Sequence, residues 1–418
     1  MTSLRSPVTA DDVDAAAQRL HGRVTRTPLT RSERLSVATG AHVWLKREDL
    51  QEVRSYKSRG ATNFIAQLSP AEQDAGVVCA SAGNHAQGVA FACAQLGVRA
   101  RIHLPRTTPR QKRERVARIG GEFVDIVVGG DTYDAAASAA SDYAQTTGCT
   151  LVPAFDHPTT IAGQGTVVRE VMEDLAEAPD VVVVPVGGGG LLAGASTYLA
   201  ERHPHVRIVG VEPAGAASMQ AALAAGGPVM LPAVDPFVDG AAVRRVGDST
   251  YPLVRASGAE VVSVDEGRVC VEMLALYQTE GIVAEPAGAL STSVLDVIGI
   301  EPGQRVVAIL SGGNNDVLRY PEVMERALVH EGRKHYFLVN FPQEPGALRR
   351  FLSEVLGPDD DIALFEYVKR NNRETGPALV GIELGSREDL EPLLDRMAAS
   401  SMQAEQIPPD SPLFGFIL

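Results

Sequence analysis

From about residue 76 onward, short runs of β-branched residues alternate with Ala-rich stretches of ten or more residues. Residues 77–80, 98–104, 122–128, 181–186, 207–211 and 305–310 are predicted as strands. Most of them lack the polar alternation that one solvated face would impose, as expected of strands covered by helices on both sides. The predicted fold class is therefore α/β, with layered parallel sheet. At the amino end, Thr9 is placed to open an acidic helix.

The pattern changes after residue 331. Residues 335–341 read as a strand, and 345–356 carry Leu348, Phe351, Leu352 and Val355 at the spacing of an amphipathic helix. Strands at 361–370 and 377–384 follow, separated by a polar turn over 371–376. Leu390, Leu393, Leu394 and Met397 then repeat the helical spacing before a short strand near 403–407. The order β-α-β-β-α-β is the ferredoxin-like α+β pattern, and it occurs once. Two domains are predicted, 1–331 and 332–418.

Composition narrows the classes. The 418 residues predict roughly two to four compact units. A formal charge of −14, from 38 Lys and Arg against 52 Asp and Glu, disfavours a phosphate backbone as partner, so no nucleic acid is expected. Cys79, Cys93, Cys149 and Cys270 have neither C-x-x-C spacing nor clustered His, which argues for buried free thiols in a reducing compartment and against a zinc site. The amino terminus lacks the apolar stretch of a signal peptide, and the run at 181–186 is too short to span a bilayer. A soluble cytoplasmic chain, with no membrane partner, is expected.

Four constellations carry candidate chemistry, three of them where strands end. In the first, Ser55-Tyr56-Lys57-Ser58-Arg59-Gly60-Ala61, the lysine is either a solvated surface group or an amine that forms a Schiff base with a carbonyl. In the second, Ser81-Ala82-Gly83-Asn84-His85, small residues expose backbone N–H groups at a helix start, suited to a carboxylate or phosphate. Asn84 on its own reads as a helix cap, and His85 as a packed polar residue rather than a base. The third, Gly187-Gly188-Gly189-Gly190-Leu191, lets backbone approach a phosphate closely. Its match to G-x-G-x-x-G is partial, reaching the Ala variant at Ala193 when counted from Gly188. A dinucleotide, a mononucleotide, a phosphorylated cofactor and a plain tight turn all remain open. In the fourth, Ser311-Gly312-Gly313-Asn314-Asn315, the hydroxyl donates to a ring nitrogen or caps the loop.

In this order and over this length, the set resembles the fold-type II pyridoxal-phosphate enzymes, with the two-lobed catalytic fold of the tryptophan synthase β type, and most closely the biosynthetic threonine dehydratases. Lys46-Arg47-Glu48-Asp49-Leu50 and Glu285-Pro286-Ala287-Gly288-Ala289 agree with that family. The carboxy-terminal unit, with Phe341-Pro342-Gln343-Glu344-Pro345-Gly346-Ala347-Leu348, looks like its ACT-like regulatory domain.

The resemblance implies pyridoxal 5'-phosphate as cofactor, held by Lys57 as an internal aldimine with Tyr56 beside the ring. Asn84 would bond the ring 3′-oxygen, Gly187 to Leu191 would bind the phosphate, and Ser311 would face the pyridine nitrogen. Ser81, Ala82 and Gly83 would receive the carboxylate of L-threonine. The freed Lys57 amine would take the α-proton, the β-hydroxyl would leave, and 2-oxobutanoate and ammonia would result, the committed step toward isoleucine. Isoleucine and valine as effectors and a homotetramer are also implied.

Related racemases hold a divalent cation, but Glu212, Ala216 and Ser218 supply too little charge, so no required metal is predicted. Serine dehydratase and serine racemase are the alternatives on the same fold. Threonine synthase would need a second phosphate cradle, and the ACT-like tail favours the pathway-regulated threonine enzyme. A silent amino-acid sensor would have to lack Lys57 or the glycine loop. A nucleotide-binding protein would leave the Lys57 and Asn84 motifs unexplained.

Overall fold

The computed structural model describes residues 8–367, 374–409 and 411–417. The end of the strand expected over 361–370 and the first half of the expected turn lie outside the described residues. The chain divides into two compact units, Met1–Glu266 with Ala275–Asn315, and Gly267–Leu274 with Asp316–Leu418.

The first unit contains β1 (Leu29–Arg31), β2 (His42–Arg47), β3 (Val77–Ala80), β4 (Ala100–Leu104), β5 (Val124–Val128), β6 (Thr150–Leu151), β7 (Val181–Pro185), β8 (Arg207–Pro213), β9 (Glu260–Val264) and β10 (Arg305–Leu310). They form two sheets, ordered β1-β2-β10-β7-β8-β9 and β5-β4-β3-β6. Every pairing is parallel except β1 with β2. The Val-rich β7 is buried along its whole length, as a strand covered on both faces must be. Each sheet has its own apolar cluster, around Val182, Val184, Leu192 and Ile309 in the first and around Val77, Ile102, Val89 and Ala90 in the second.

Four strands were not anticipated from the sequence, namely β1, β2, β6 and β9. β1 and β6 are too short to show a period. β2 ends in buried Lys46 and half-buried Arg47, and charged residues do not read as core. The expected strand at 98–104 begins only at Ala100, and that at 122–128 begins at Val124 after a single 3₁₀ turn.

Helices of the first unit meet backbone to backbone. A Cβ built on Gly163 would stand 2.8 Å from the Cα of Gly60, one on Gly88 2.9 Å from the carbonyl of Lys57, and one on Gly165 2.9 Å from the carbonyl of Gly194. This close approach seats the helix Lys57–Ile65 among its neighbours, buried from Ser58 to Ile65. A buried charge network holds the same helix. Arg59 meets Glu48 through Nε and Nη2 at 2.8 and 2.7 Å, and Glu170 through Nη1 and Nη2 at 2.6 and 2.8 Å. Lys46 adds Glu170 at 2.8 Å and the carbonyl of Thr27 at 2.7 Å. Arg59 keeps its charge and Glu170 is held below the usual carboxylate range, because the opposed charges outweigh burial.

The second unit is antiparallel, with β11 (Lys334–Pro342), β12 (Asp361–Tyr367), β13 (Thr375–Glu383) and β14 (Gln403–Ile407) ordered β12-β13-β11-β14. Helices Ala347–Glu354 and Leu390–Ala399 cover one face through Phe351, Leu393 and Met397, against Phe337, Val339, Val380 and Ile382. Tyr336, Leu338, Leu364, Leu379 and Ile407 make a second cluster with Val329, Phe414 and Ile417. The apolar stripe expected on the first helix is only half used. Phe351 and Val355 are buried, whereas Leu348 and Leu352 stay 43% and 45% exposed, because the sheet accepts the ridge of Ala347, Phe351 and Val355 and the two leucines stand beside it.

Candidate active site

In an open parallel sheet, ligands bind beyond the carboxyl ends of the strands. Here β3 runs into Ser81, β7 into the glycine loop and β10 into Ser311, while β2 leads through a 3₁₀ turn to Lys57. These loops touch. The N–H of Tyr56 donates to the carbonyl of Ser311 at 3.2 Å, and Ser55 pairs with Gly312 as an isolated bridge. The carbonyl of Arg54 accepts from the N–H of Gly313 at 2.9 Å. Arg54 itself has φ of 56°, the one left-handed non-glycine among the described residues, a strain of the kind concentrated at functional turns.

Lys57 opens its helix and its Nζ donates to the carbonyl of Ala154 at 3.1 Å, 5.1 Å from the centre of the Tyr56 ring. The next residue, Phe155, closes on the glycine loop. A Cβ on Gly188 would overlap the Phe155 ring, and one on Gly190 would stand 2.9 Å from its Cβ. Gly189 has φ of 90° and caps the helix Gly190–Arg202. A Cβ there would meet Met219 Cε at 2.6 Å and Thr250 Oγ1 at 2.9 Å. The Thr250 hydroxyl donates to the carbonyl of Gly188 at 2.8 Å, fixing the turn from outside. Only glycine fits these positions, and Leu191 is buried in the first turn of the helix that follows.

The helix Asn84–Leu96 follows Gly83, beside which a Cβ would find open space, and its N-terminal N–H groups have no intrahelical acceptors. Ser81 Oγ accepts from the N–H of Gly83 at 3.2 Å, so Ser81, Ala82 and Gly83 form a small half-buried turn. Asn84 is not a side-chain cap. Its Nδ2 donates to Glu285 Oε1 at 2.6 Å and its Oδ1 accepts from Asn314 Nδ2 at 2.6 Å. His85 is packed, with Nε2 3.0 Å from the carbonyl of Val152. Burial and the nearby Lys57 charge push it down to about 4, so it is neutral near pH 7. Ser311 is buried and its hydroxyl donates to the carbonyl of Ala287 at 3.2 Å.

The residues fit a phosphorylated pyridine aldehyde. The loop at Gly188 and Gly189 is a cradle that any side chain would fill, an amine stands one residue away across Ala154 and Phe155, and the buried Oδ1 of Asn314 has no partner among the described residues. Glu212 is different. Its carboxylate accepts from the N–H groups of Met219 and Gln220 at 2.6 and 2.9 Å, and burial pushes it up to about 7 against their pull. It is engaged by the start of the helix Ser218–Ala225. No cluster of three His, Cys, Asp or Glu placed to hold a metal ion occurs among the described residues.

Sequence reasoning gave no role to Glu285, Asn314, Phe155 or Thr250. Glu285 and Asn314 lie inside quoted motifs, which was the available signal. Phe155 and Thr250 act by shape, which no motif records.

Two family models match the chain. Residues 20–312 match "Pyridoxal-phosphate dependent enzyme" and residues 325–417 match "C-terminal regulatory domain of Threonine dehydratase". The chain is 62% identical to the L-threonine dehydratase biosynthetic IlvA of Mycobacterium tuberculosis, over 97% of this chain and 95% of that one. It is 47% identical to that of Bacillus subtilis, over 96% of each. Among solved structures, processed threonine deaminase isoform 2 of Solanum lycopersicum is 36% identical with a TM-score of 0.70, covering 77% of this chain and 96% of that one. Maize serine racemase is 30% identical with a TM-score of 0.71, covering 78% and 99%.

Proposed function

Since the chain belongs to the biosynthetic threonine dehydratases, pyridoxal-phosphate-dependent enzymes with a carboxy-terminal regulatory domain, we propose that Lys57, Asn84, Ser311 and the loop from Gly187 to Leu191 form its cofactor site. The reaction is the dehydration and deamination of L-threonine to 2-oxobutanoate and ammonia, in isoleucine biosynthesis. One observation supports the site assignment above the others. The four constellations are physically joined, Tyr56 to Ser311, Lys57 through Ala154 and Phe155 to Gly188, and Asn84 to Asn314.

Pyridoxal phosphate, when bound, supplies a carbonyl that condenses with amines and a ring that withdraws electrons from an amino acid's α-carbon. The chain's own residues bind and orient. Gly187, Gly188, Gly189, Gly190 and Leu191 present backbone N–H groups at a helix start to the phosphate. Tyr56 packs beside Lys57, Asn84 would donate from Nδ2, and Ser311 would turn its neutral hydroxyl from the Ala287 carbonyl to the ring nitrogen. Ser81, Ala82 and Gly83 hold the threonine carboxylate at the start of the helix Asn84–Leu96. The Lys57 amine moves the α-proton, being the side chain placed between the glycine loop and the Ser311 loop.

Residues 1–331 are read as catalytic and 332–418 as the regulatory part that responds to isoleucine or valine, in a cytoplasmic homotetramer, although the second compact unit also takes in residues 316–331. No helix among the described residues is long and apolar enough to cross a membrane. Borohydride reduction of the purified holoenzyme should bleach its visible band and leave the reduced cofactor on the peptide containing Lys57. A modified peptide lacking Lys57 sinks the assignment. Serine is the alternative substrate, and the kcat/KM for 2-oxobutanoate from threonine should exceed that for pyruvate from serine.

A further inference from the structure

The side-chain amide of Asn84 is held at both ends. Its Nδ2 donates to Glu285 Oε1 at 2.6 Å, and its Oδ1 accepts from Asn314 Nδ2 at 2.6 Å. The same Asn314 Nδ2 donates to the carbonyl of Val53 at 2.8 Å. A backbone carbonyl can only accept, so it fixes which end of Asn314 is the amine, and that in turn fixes which end of Asn84 is the oxygen. Both hydrogens of Asn314 Nδ2 are used. Asn84 Nδ2 spends one on Glu285 and keeps one. In this arrangement the buried Oδ1 of Asn314 has no partner among the described residues.

We infer that Asn314 is a positioning residue that sets the orientation of the Asn84 amide, so that Asn84 presents N–H, never oxygen, to the 3′-oxygen of the cofactor ring. The inference rests on the reading that Asn84 faces that ring. Glu285 alone could not enforce the orientation. It is buried and held up to about 7 by burial and by Asp239, against the hydrogen bond from Asn84, the Lys112 charge and the N–H of Asn314, and Arg115 is a further charge near it. A protonated Glu285 could donate as well as accept, and would tolerate either orientation. Val53 cannot titrate, so the polarity it imposes through Asn314 survives the change in Glu285.

The two anchors come from the segments that carry the other chemistry. Val53 lies four residues before Lys57 and Asn314 three after Ser311, while Glu285 is tied to Gly312 by its N–H at 3.1 Å. The lysine loop and the serine loop therefore settle the orientation of a side chain that belongs to neither.

Asn314→Asp is nearly isosteric and replaces the donor by an acceptor facing both Asn84 Oδ1 and the Val53 carbonyl. Titrating the cofactor-free protein with pyridoxal phosphate should give at least tenfold weaker binding than wild type, with a displaced visible maximum in the loaded protein. In an Asn84→Ala background the same change should alter the dissociation constant less than twofold. Asn314→Ser, which keeps one donor, should fall between, and it serves if Asn314→Asp does not fold. Binding within twofold of wild type for Asn314→Asp, or for Asn314→Ser where that variant stands in, would overturn the inference, as would equal weakening with and without Asn84. Failure of Lys57 to carry the reduced cofactor in wild type is a separate outcome, read on the peptide rather than on the Asn314 variants, and sinks the site reading itself.

Discussion

At Gly188 the first unit has no space for a methyl group, because the Phe155 ring occupies the position a Cβ would take. At Phe341 the second unit is filled by rings, with Phe351 at 5.2 Å, Phe365 at 5.7 Å and Tyr367 at 5.8 Å, all edge to face. The first region is shaped by what is missing from its side chains, the second by what its side chains supply. A loop proposed to grip a phosphate through backbone N–H groups has no room for added atoms. A small domain whose sheet carries an apolar cluster on each face tolerates few deleted ones. Substitutions of opposite sense should therefore separate the two units.

The strongest test of that contrast is Gly188→Ala, one carbon added against Phe155. Pyridoxal-phosphate affinity should fall at least a hundredfold in a titration followed at the visible band, with the circular dichroism of the second unit's aromatic residues unchanged. Arg59→Met comes next. It keeps volume but leaves Glu48 and Glu170 without their shared cation, and should destabilise the first unit by about 3–5 kcal/mol in urea unfolding. Phe351→Ala deletes atoms in the second unit. It should cost about 3–4 kcal/mol there while leaving the cofactor dissociation constant within twofold, and a large loss of cofactor would erase the contrast.

A smaller effect comes from Glu285. Held up to about 7, it keeps a proton in the folded state that the unfolded chain has lost above its ordinary value of 4.5. The unfolded state then binds fewer protons across that window, so this contribution to stability is complete below it and is lost as pH rises through 7. Glu285→Gln should gain on wild type by about 2 kcal/mol between pH 5 and pH 8, measured as the difference in unfolding free energy at the two values. His85, held down to about 4, works in the opposite direction, its stability being lost as pH falls from 6.5 toward 4. Least of all, Leu348→Ser touches a side chain the second unit leaves exposed and should change its stability by less than about 0.5 kcal/mol.

The parallel strands were legible because burial on both faces leaves an unbroken apolar run, as in β7, and the loops were legible because glycine and small residues follow such runs directly. Lys46, Glu48 and Arg59 were not legible as core. Each reads as polar along the chain, and their burial is balanced by pairing, Arg59 with Glu48 nearby and with Glu170 more than a hundred residues away, and Lys46 with Glu170. Leu348 and Leu352 failed in the opposite way. Their spacing fits an apolar face, but spacing does not say how wide a strip the sheet will cover. Asn84 read as a cap because its partners, Glu285 and Asn314, lie at 201 and 230 residues' separation.

The helix that begins with Lys57 has glycine facing glycine at Gly60 and Gly163, and Gly88 against its first carbonyl. A Cβ on Gly163 or Gly88 would meet backbone at 2.8 or 2.9 Å, where no rotamer can give way, whereas one on Gly60 would meet the side chains of Gln164 and Thr160. A single substitution at Gly88 or Gly163 would need a simultaneous shift of the opposing backbone, so the intermediates on such a path are defective. The position of the lysine relative to its loops is thereby shielded from gradual drift, and the sequence around it can diversify only outside that contact.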